Sequence, residues 1–138
     1  MPAKDIYHDT VKNALIKDGW QITHDPFTLE FKSVRLFADL AAEKAIDVEQ
    51  VERAIVVEIK TFNSLSLITE LEKAIGQYNI YRLFLKLNDN DRKLFLAISQ
   101  TVYQNFFQQP AIAEIISDQH IKLLIFNSET EEIIQWIN

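Results

Sequence analysis

One stretch, Ala54-Ile-Val-Val-Glu-Ile-Lys-Thr-Phe62, constrains the fold of this chain more than any other. It is rich in β-branched residues and contains no glycine or proline, which predicts a strand. Side chains alternate along a strand, so this one has two different faces. The first face is apolar, as a central strand of a sheet requires. It consists of Ile55, Val57, Ile59 and Thr61, and the Thr61 hydroxyl is its one polar group. The second face carries two charges, on Glu58 and Lys60.

A charge in a central strand is costly unless it is paired with another charge or coordinates a metal. Glu58 and Lys60 are two residues apart, roughly 6.6 Å along the backbone. At that spacing the Glu58 carboxylate can hold a metal ion while the Lys60 ammonium group contacts a water bound to that metal. The alternative is a simple ion pair between Glu58 and Lys60 on a half-exposed strand, since E-x-K occurs often by chance.

The remaining periodicity predicts an α/β fold with a mixed sheet flanked by helices. The predicted helices cover residues 4–18, 66–86, 102–107 and 110–117, and Ser64 or Ser66 is the expected N-cap of the second. Its apolar stripe comprises Leu67, Leu71, Ile75, Tyr78 and Leu85. The predicted strands cover residues 20–24, 28–31, 34–40, 54–62, 94–99, 121–126 and 133–137. The charged segment 43–53 is expected to be a connection.

Composition narrows the functional classes. A length of 138 residues predicts a single domain, residues 1–138. There is no cysteine, which excludes a disulfide framework and a thiolate metal site. We expect no signal peptide and no membrane span, and therefore a cytoplasmic protein. The net charge of −6 opposes binding to nucleic acid, so a DNA-binding role requires a local basic patch or a basic partner.

Three further residues join the charged strand face in one predicted constellation. Asp39 falls near the end of the strand 34–40, and Gln77 and Tyr81 are four residues apart on one side of the long helix. Two carboxylates on adjacent strands can hold Mg²⁺ together with several waters. A lysine beside them can orient water and offset the negative charge of a reacting phosphate.

The spacing of these residues resembles known nuclease motifs. Asp39…Glu58-Ile-Lys60 resembles the PD-(D/E)xK signature of restriction-endonuclease-like nucleases, and Gln77-Tyr-Asn-Ile-Tyr81 resembles the Q-x-x-x-Y motif of RecB-type nucleases. The chain as a whole resembles the XisH family, the fdxN element excision controlling factors. The segments that carry this second resemblance are residues 1–12, 17–20, 23–26, 39–44, 57–60, 76–82 and 134–138.

The resemblance implies a restriction-endonuclease-like α/β fold and a role in programmed, site-specific excision of a DNA element. It implies DNA, a site-specific recombinase and a companion factor, XisI, as partners. By position, Asp39 and Glu58 match ligands for Mg²⁺ (or Mn²⁺), Lys60 matches the catalytic lysine, and Gln77 and Tyr81 match the helix motif. The chain departs from the signature before Asp39, where Ala38 stands in place of proline.

The first helix of such nucleases often adds a glutamate to the site. Here the helix offers Asp5, His8 and Asp9, of which His8 is the preferred additional candidate. His24 is expected to be a turn residue. Glu43 is expected in a solvated connection from which it can reach the site.

Two functions follow as hypotheses. The first is a Mg²⁺-dependent nuclease-type protein that acts on DNA, and the second is a non-catalytic accessory factor that regulates a recombinase through protein contacts. We also expect a homodimer or partner binding through surplus apolar surface, because exposed apolar patches mark interfaces. The residues expected to form that surface are Phe106, Phe107, Trp136 and Ile137.

Overall fold

The computed structural model describes residues 5–45 and 52–138. These residues form a six-stranded mixed sheet with strand order β1-β4-β5-β6-β7-β8, and a two-stranded sheet of β2 and β3. The predicted α/β fold with a mixed sheet flanked by helices is therefore confirmed. The elements in chain order are α1 (His8–Lys17), β1 (Gln21–His24), β2 (Phe27–Phe31), β3 (Val34–Ala38), β4 (Leu40–Ala45), β5 (Glu52–Ile59), α2 (Leu67–Leu87), β6 (Lys93–Ser99), α3 (Gln100–Val102) with a π-helical turn (Tyr103–Phe107), α4 (Pro110–Asp118), β7 (Leu123–Asn127) and β8 (Glu132–Ile137).

Strand β5 lies in the interior of the six-stranded sheet, as its sequence predicts. It pairs antiparallel with β4, where Leu40 faces Val57, and parallel with β6, where Val57 faces Phe95. Val57 and Ile59 are 0% and 1% exposed. The apolar face of β5 is therefore covered completely, and the charged residues at its end are held by strands on both sides.

The alternation along β5 separates two hydrophobic cores. Val56 belongs to the core beneath α2, whereas Val57 and Ile59 belong to the core beneath α1. Helix α2 begins after Ser66, whose hydroxyl accepts a hydrogen bond from the backbone of Thr69, so the N-cap prediction is confirmed. The side chains that α2 buries are those of Leu71, Ala74, Tyr78, Tyr81 and Leu85.

Several predicted boundaries are wrong. The predicted strand 54–62 ends at Ile59, so Lys60 lies just beyond it, and Phe62 leaves the extended conformation with φ of 55°. Residues 43–45 belong to β4 and Arg53 belongs to β5, although 43–53 was expected to be a connection. A partner distant in sequence explains this, because Arg92 forms an ion pair of 2.9 Å with Glu43 and so neutralises that charge within the sheet. The predicted strand 34–40 breaks at Asp39, between β3 and β4. Helix α1 begins at His8, and residue 4, where it was expected to begin, lies outside the described residues.

The apolar residues expected to form an interface are largely absorbed by the core. Phe106 and Phe107 are 7% and 3% exposed and pack against Phe62. Trp136 is half-buried against Trp20 on the other face of the sheet. These residues supply little surface to a partner, because their aromatic side chains pack against other aromatic side chains of the same chain. In the part of the chain that is described, no helix is long and apolar enough to cross a membrane.

Candidate functional site

Asp39 and Glu58 lie side by side where β4 begins and β5 ends. Leu40 and Val57 face each other in the antiparallel ladder, which brings the residues next to them together. The backbone N–H of Ile59 donates to Asp39 Oδ2 at 2.7 Å, and the backbone N–H of Asp39 donates to Glu58 Oε1 at 3.2 Å. Each carboxylate is thus held by the other strand's backbone. Among the described residues, these two reciprocal hydrogen bonds leave Asp39 Oδ1 and Glu58 Oε2 without a backbone donor.

Lys60 completes the charged end of β5. Its Nζ lies 3.4 Å from Glu58 Oε2, while its backbone N–H donates to the carbonyl of Ala97 at 3.1 Å. The ion pair considered as the alternative therefore forms, but on a buried glutamate, since the Glu58 side chain is only 9% exposed. An ion pair on a half-exposed strand does not describe this arrangement.

Burial makes both carboxylates resist ionisation. It raises the pKa of Glu58 to about 8, with repulsion from Asp39 as the second cause, although Lys60 and the Asp39 N–H act in the opposite direction. Burial likewise raises the pKa of Asp39, against the hydrogen bond from Ile59 and the charges of His8 and Lys60. A single lysine and two backbone donors do not offset the desolvation of this pair.

Of the three candidates in the first helical segment, His8 is the one that reaches Asp39. His8 is 3% exposed, and its Nδ1 lies 4.0 Å from Asp39 Oδ1, which is too far for a hydrogen bond. Among the described residues, that buried nitrogen has no hydrogen-bond partner. Asp5 instead accepts hydrogen bonds from the backbone of Tyr7 and the hydroxyl of Thr61. Asp9 is exposed.

Asp25 and Lys12 join this region, although the sequence reasoning assigned them no role. His8 Nε2 lies 2.7 Å from Asp25 Oδ1, and Lys12 Nζ lies 2.9 Å from Asp25 Oδ2. Burial alone would raise the pKa of Asp25, but the hydrogen bonds from Lys12 and His8 together hold it below its ordinary value. The sequence does carry one signal, because His8 and Lys12 are four residues apart on one face of α1.

Tyr81 supports the site from α2. Its hydroxyl donates to the carbonyl of Phe37 at 3.1 Å, two residues before Asp39. Burial, followed by repulsion from Glu58 and Asp39, raises the pKa of Tyr81, which keeps the hydroxyl protonated as a donor. Gln77 lies one turn earlier, and its buried Oε1 has no hydrogen-bond partner in the part of the chain that the structure describes. Among the described residues neither side chain hydrogen-bonds to Lys60.

Two other side chains considered from the sequence lie elsewhere. Glu43 is turned to Arg92 and does not reach the site. His24 is an exposed residue at the end of β1, and its Nδ1 lies 2.9 Å from the hydroxyl of the preceding Thr23. The expectation that His24 serves at a turn agrees with this position, directly before Asp25-Pro26.

The donor set suits a hard cation that keeps much of its water. Within residues 5–45 and 52–138, no cluster of three or more His, Cys, Asp or Glu side chains has the geometry of a complete metal site. Mg²⁺ is commonly bound through one or two carboxylates with several waters, so Asp39 and Glu58 fit that ion. Among the described residues, the buried Nδ1 of His8 has no hydrogen-bond partner and lies 4.0 Å from Asp39 Oδ1.

Comparisons with known proteins give one family. The family model described as XisH protein matches residues 1–134. The crystal structure of an XisH family protein from Nostoc punctiforme PCC 73102 superposes with a TM-score of 0.87 at 42% identity, covering 97% of this chain and 100% of that one. An fdxN element excision controlling factor protein from Anabaena variabilis gives a TM-score of 0.87 at 42% identity, covering 98% and 100%. No curated protein matches.

Proposed function

The chain belongs to the XisH family, and we propose on that premise that it is an endonuclease-like protein supporting programmed, site-specific excision of a DNA element. The proposed reaction is Mg²⁺- (or Mn²⁺-) dependent hydrolysis of a phosphodiester bond at Asp39, Glu58 and Lys60. The proposed site of action is the cytoplasm. The family name of the Anabaena variabilis relative, an excision controlling factor, supports a role in excision.

The observation that carries this proposal is the pair of carboxylates, Asp39 and Glu58, each of which accepts a hydrogen bond from the backbone of the other strand. Folding buries Asp39 and Glu58 together and raises the pKa of both, which costs stability whenever both are ionised. A scaffold has no physical need of two buried carboxylates beside each other, and a sheet end with apolar residues there would be more stable. A divalent cation held by both carboxylates removes that repulsion.

Each residue of the site has a proposed role. A bound cation supplies Lewis acidity to the phosphate and lowers the pKa of a water. Asp39 Oδ1 and Glu58 Oε2 are the oxygens available to hold that cation, since their partners Oδ2 and Oε1 accept backbone hydrogen bonds. Lys60, partly exposed next to Glu58, orients water and offsets charge on the phosphate. Tyr81 fixes the backbone that leads into Asp39.

A basic groove supports contact with DNA despite the net charge of −6. It has a volume of about 430 Å³, and its lining contains one acidic residue, Asp91. It lies at the amino ends of β6 and β7, so the sheet separates it from the carboxyl end of β5. Local positive charge of this kind can hold a phosphate backbone. The basic residues that line it are Arg82, Lys86, Lys93 and Lys122, together with Arg92, whose charge is already paired with Glu43.

An accessory factor without catalysis is the second candidate function. The observation that favours it is an apolar strip on the outer side of α2, where Ile80, Leu83 and Leu87 are 49%, 49% and 42% exposed. Apolar residues in such positions are typical of protein contacts. In this alternative the strip serves contacts with XisI, a recombinase or a second copy of the chain.

A nicking assay separates the two candidates. Supercoiled or branched DNA is incubated with the purified protein and Mg²⁺ or Mn²⁺, with and without XisI. We expect nicking by wild type, none by Lys60→Ala, and full nicking by Lys73→Ala, which removes an exposed lysine on α2. The absence of nicking under every condition contradicts the enzyme and supports the accessory factor.

A further inference from the structure

A line of polar side chains leads from the surface of α1 to Asp39. Lys12 Nζ is 2.9 Å from Asp25 Oδ2, and Asp25 Oδ1 is 2.7 Å from His8 Nε2. On the other side of the imidazole, His8 Nδ1 is 4.0 Å from Asp39 Oδ1. The Asp25 side chain is 16% exposed and the His8 side chain 4%, so the central part of this line is largely shielded from water.

The donors and acceptors along this line fix where the imidazole carries its proton. An ionised carboxylate only accepts hydrogen bonds, so the 2.7 Å contact with Asp25 requires a proton on His8 Nε2. In a neutral imidazole the other nitrogen, Nδ1, then has a free lone pair. This lone pair is buried and has no partner, and the atom it approaches is an oxygen of another carboxylate.

Two acceptors therefore face each other across the gap between His8 Nδ1 and Asp39 Oδ1. With the imidazole neutral and Asp39 ionised, neither group can donate to the other, so the gap suits a species that both acceptors attract, which is a cation or a water bound to one. A carboxylate that orients a histidine from behind is a common support of metal-binding imidazoles, and it sets the tautomer of the ring.

We propose that Asp25 is a positioning residue that locks His8 in the tautomer protonated at Nε2, so that Nδ1 can close as a third ligand on a cation held by Asp39 and Glu58. The described side chains do not form such a three-ligand site before a cation binds. The third-ligand part rests on the proposed function, whereas the tautomer part does not. Lys12 holds Asp25 in its orientation. An imidazole nitrogen suits a first-row transition metal better than it suits Mg²⁺, so this arrangement gives Mn²⁺ an advantage over Mg²⁺.

Asp25→Asn is the informative substitution, because Lys12 can only donate a hydrogen bond. The amide oxygen turns to Lys12, and the amide NH₂ then faces His8 Nε2. This reverses the tautomer and places a proton on Nδ1. We expect Mn²⁺ affinity to fall by about 10- to 100-fold, the usual effect of losing a residue that orients a metal ligand.

Two further variants separate this role from a merely structural one. Lys12→Met leaves Asp25 able to accept from His8, and Mn²⁺ affinity should stay within a few-fold of wild type. In the double variant Asp25→Asn with Lys12→Met, the amide is free to turn its oxygen to His8, and affinity should recover most of the loss. A double variant that binds Mn²⁺ no better than Asp25→Asn alone overturns the proposal.

Nitrogen NMR of the histidine rings in metal-free protein tests the tautomer directly. We expect the lone-pair signal of His8 on Nδ1 in wild type and Lys12→Met, and on Nε2 in Asp25→Asn, in spectra that also show the fold is kept. A proton on Nδ1 of wild type overturns this inference whether or not metal binds. A wild type with the expected tautomer that binds neither Mn²⁺ nor Mg²⁺ overturns the proposed function and the third-ligand role, while the role of Asp25 in setting the tautomer stands.

Discussion

Replacing Glu58 by glutamine should stabilise the metal-free protein at alkaline pH. The folded protein keeps a proton on Glu58 up to about pH 8, because burial and Asp39 raise its pKa from an ordinary value of 4.5. The unfolded chain releases that proton near its ordinary pKa. The folded state therefore binds more protons between these two values, and the free energy of unfolding falls as pH rises through the window.

The pKa of Glu58 sets the magnitude of this fall in the free energy of unfolding. One proton contributes about 1.4 kcal/mol per pH unit. Across the window from 4.5 to about 8, the loss of stability in wild type is on the order of 5 kcal/mol. The raised pKa of Asp39 acts in the same direction. A glutamine side chain keeps the shape of the glutamate and can still accept from the backbone of Asp39, so the Glu58→Gln variant should lose most of this pH dependence.

Urea unfolding in the presence of a chelator, repeated from about pH 5 to about pH 9, measures this difference. Glu43→Gln is the matched control, since it removes a glutamate that pairs with Arg92 away from the site. We expect it to follow the pH slope of wild type. A wild-type stability that stays flat or rises over this range, or a Glu58→Gln variant with the wild-type slope, refutes the electrostatic reasoning.

Added metal should narrow the difference in stability between the two proteins. A ligand that binds only the folded state stabilises it by about 2.7 kcal/mol at a concentration of 100 times its dissociation constant. Wild type should show such a gain with Mg²⁺ or Mn²⁺, and Glu58→Gln should show none. An equal gain in both proteins means that the metal binds elsewhere on the chain.

The remaining predictions concern other parts of the structure. Lys60→Ala should keep metal affinity by calorimetry and lose any DNA cleavage, because Lys60 is not a ligand. Tyr81→Phe should cost about 1 to 3 kcal/mol in urea unfolding, since the partly buried carbonyl of Phe37 loses its donor. Leu71→Ala should cost about 2 to 5 kcal/mol, whereas Leu83→Ala, which is half exposed, should change stability by less than about 0.5 kcal/mol. Sedimentation velocity should show a homodimer, because Ile80, Leu83 and Leu87 form an exposed apolar strip on α2. A strict monomer with no affinity for XisI contradicts that expectation.

Local patterns in the sequence predicted most of the sheet and helices. The β-branched run of β5 placed it inside the sheet, and Ser66 marked the start of α2. These features depend on residues close together in the chain, where alternation and capping act. Asp39, Glu58 and Lys60 were grouped in one predicted site as carboxylates on adjacent strands with a nearby lysine, and by their resemblance to the PD-(D/E)xK signature.

Contacts between residues distant in sequence explain the features that were not predicted, which are the extent of β4, the break at Asp39 and the role of Asp25. Residues 43–45 continue β4 because Arg92, 49 residues away, pairs with Glu43. The strand breaks at Asp39 because its side chain bonds to the backbone of Ile59 across the sheet. Asp25 was given no role in the site, since its partner His8 lies 17 residues earlier. No periodicity encodes such pairs.

Calorimetric titration of Mg²⁺ and Mn²⁺ into the purified protein tests the central claim most directly. The account predicts saturable binding to wild type that is abolished by Asp39→Asn and by Glu58→Gln and kept in Lys60→Ala, because two carboxylates and not the lysine hold the cation. The titration is repeated with DNA and XisI present, because a partner could supply the remaining ligands of the metal site. Wild-type protein that binds neither metal under any of these conditions contradicts the nuclease proposal and leaves the accessory factor as the function of this chain.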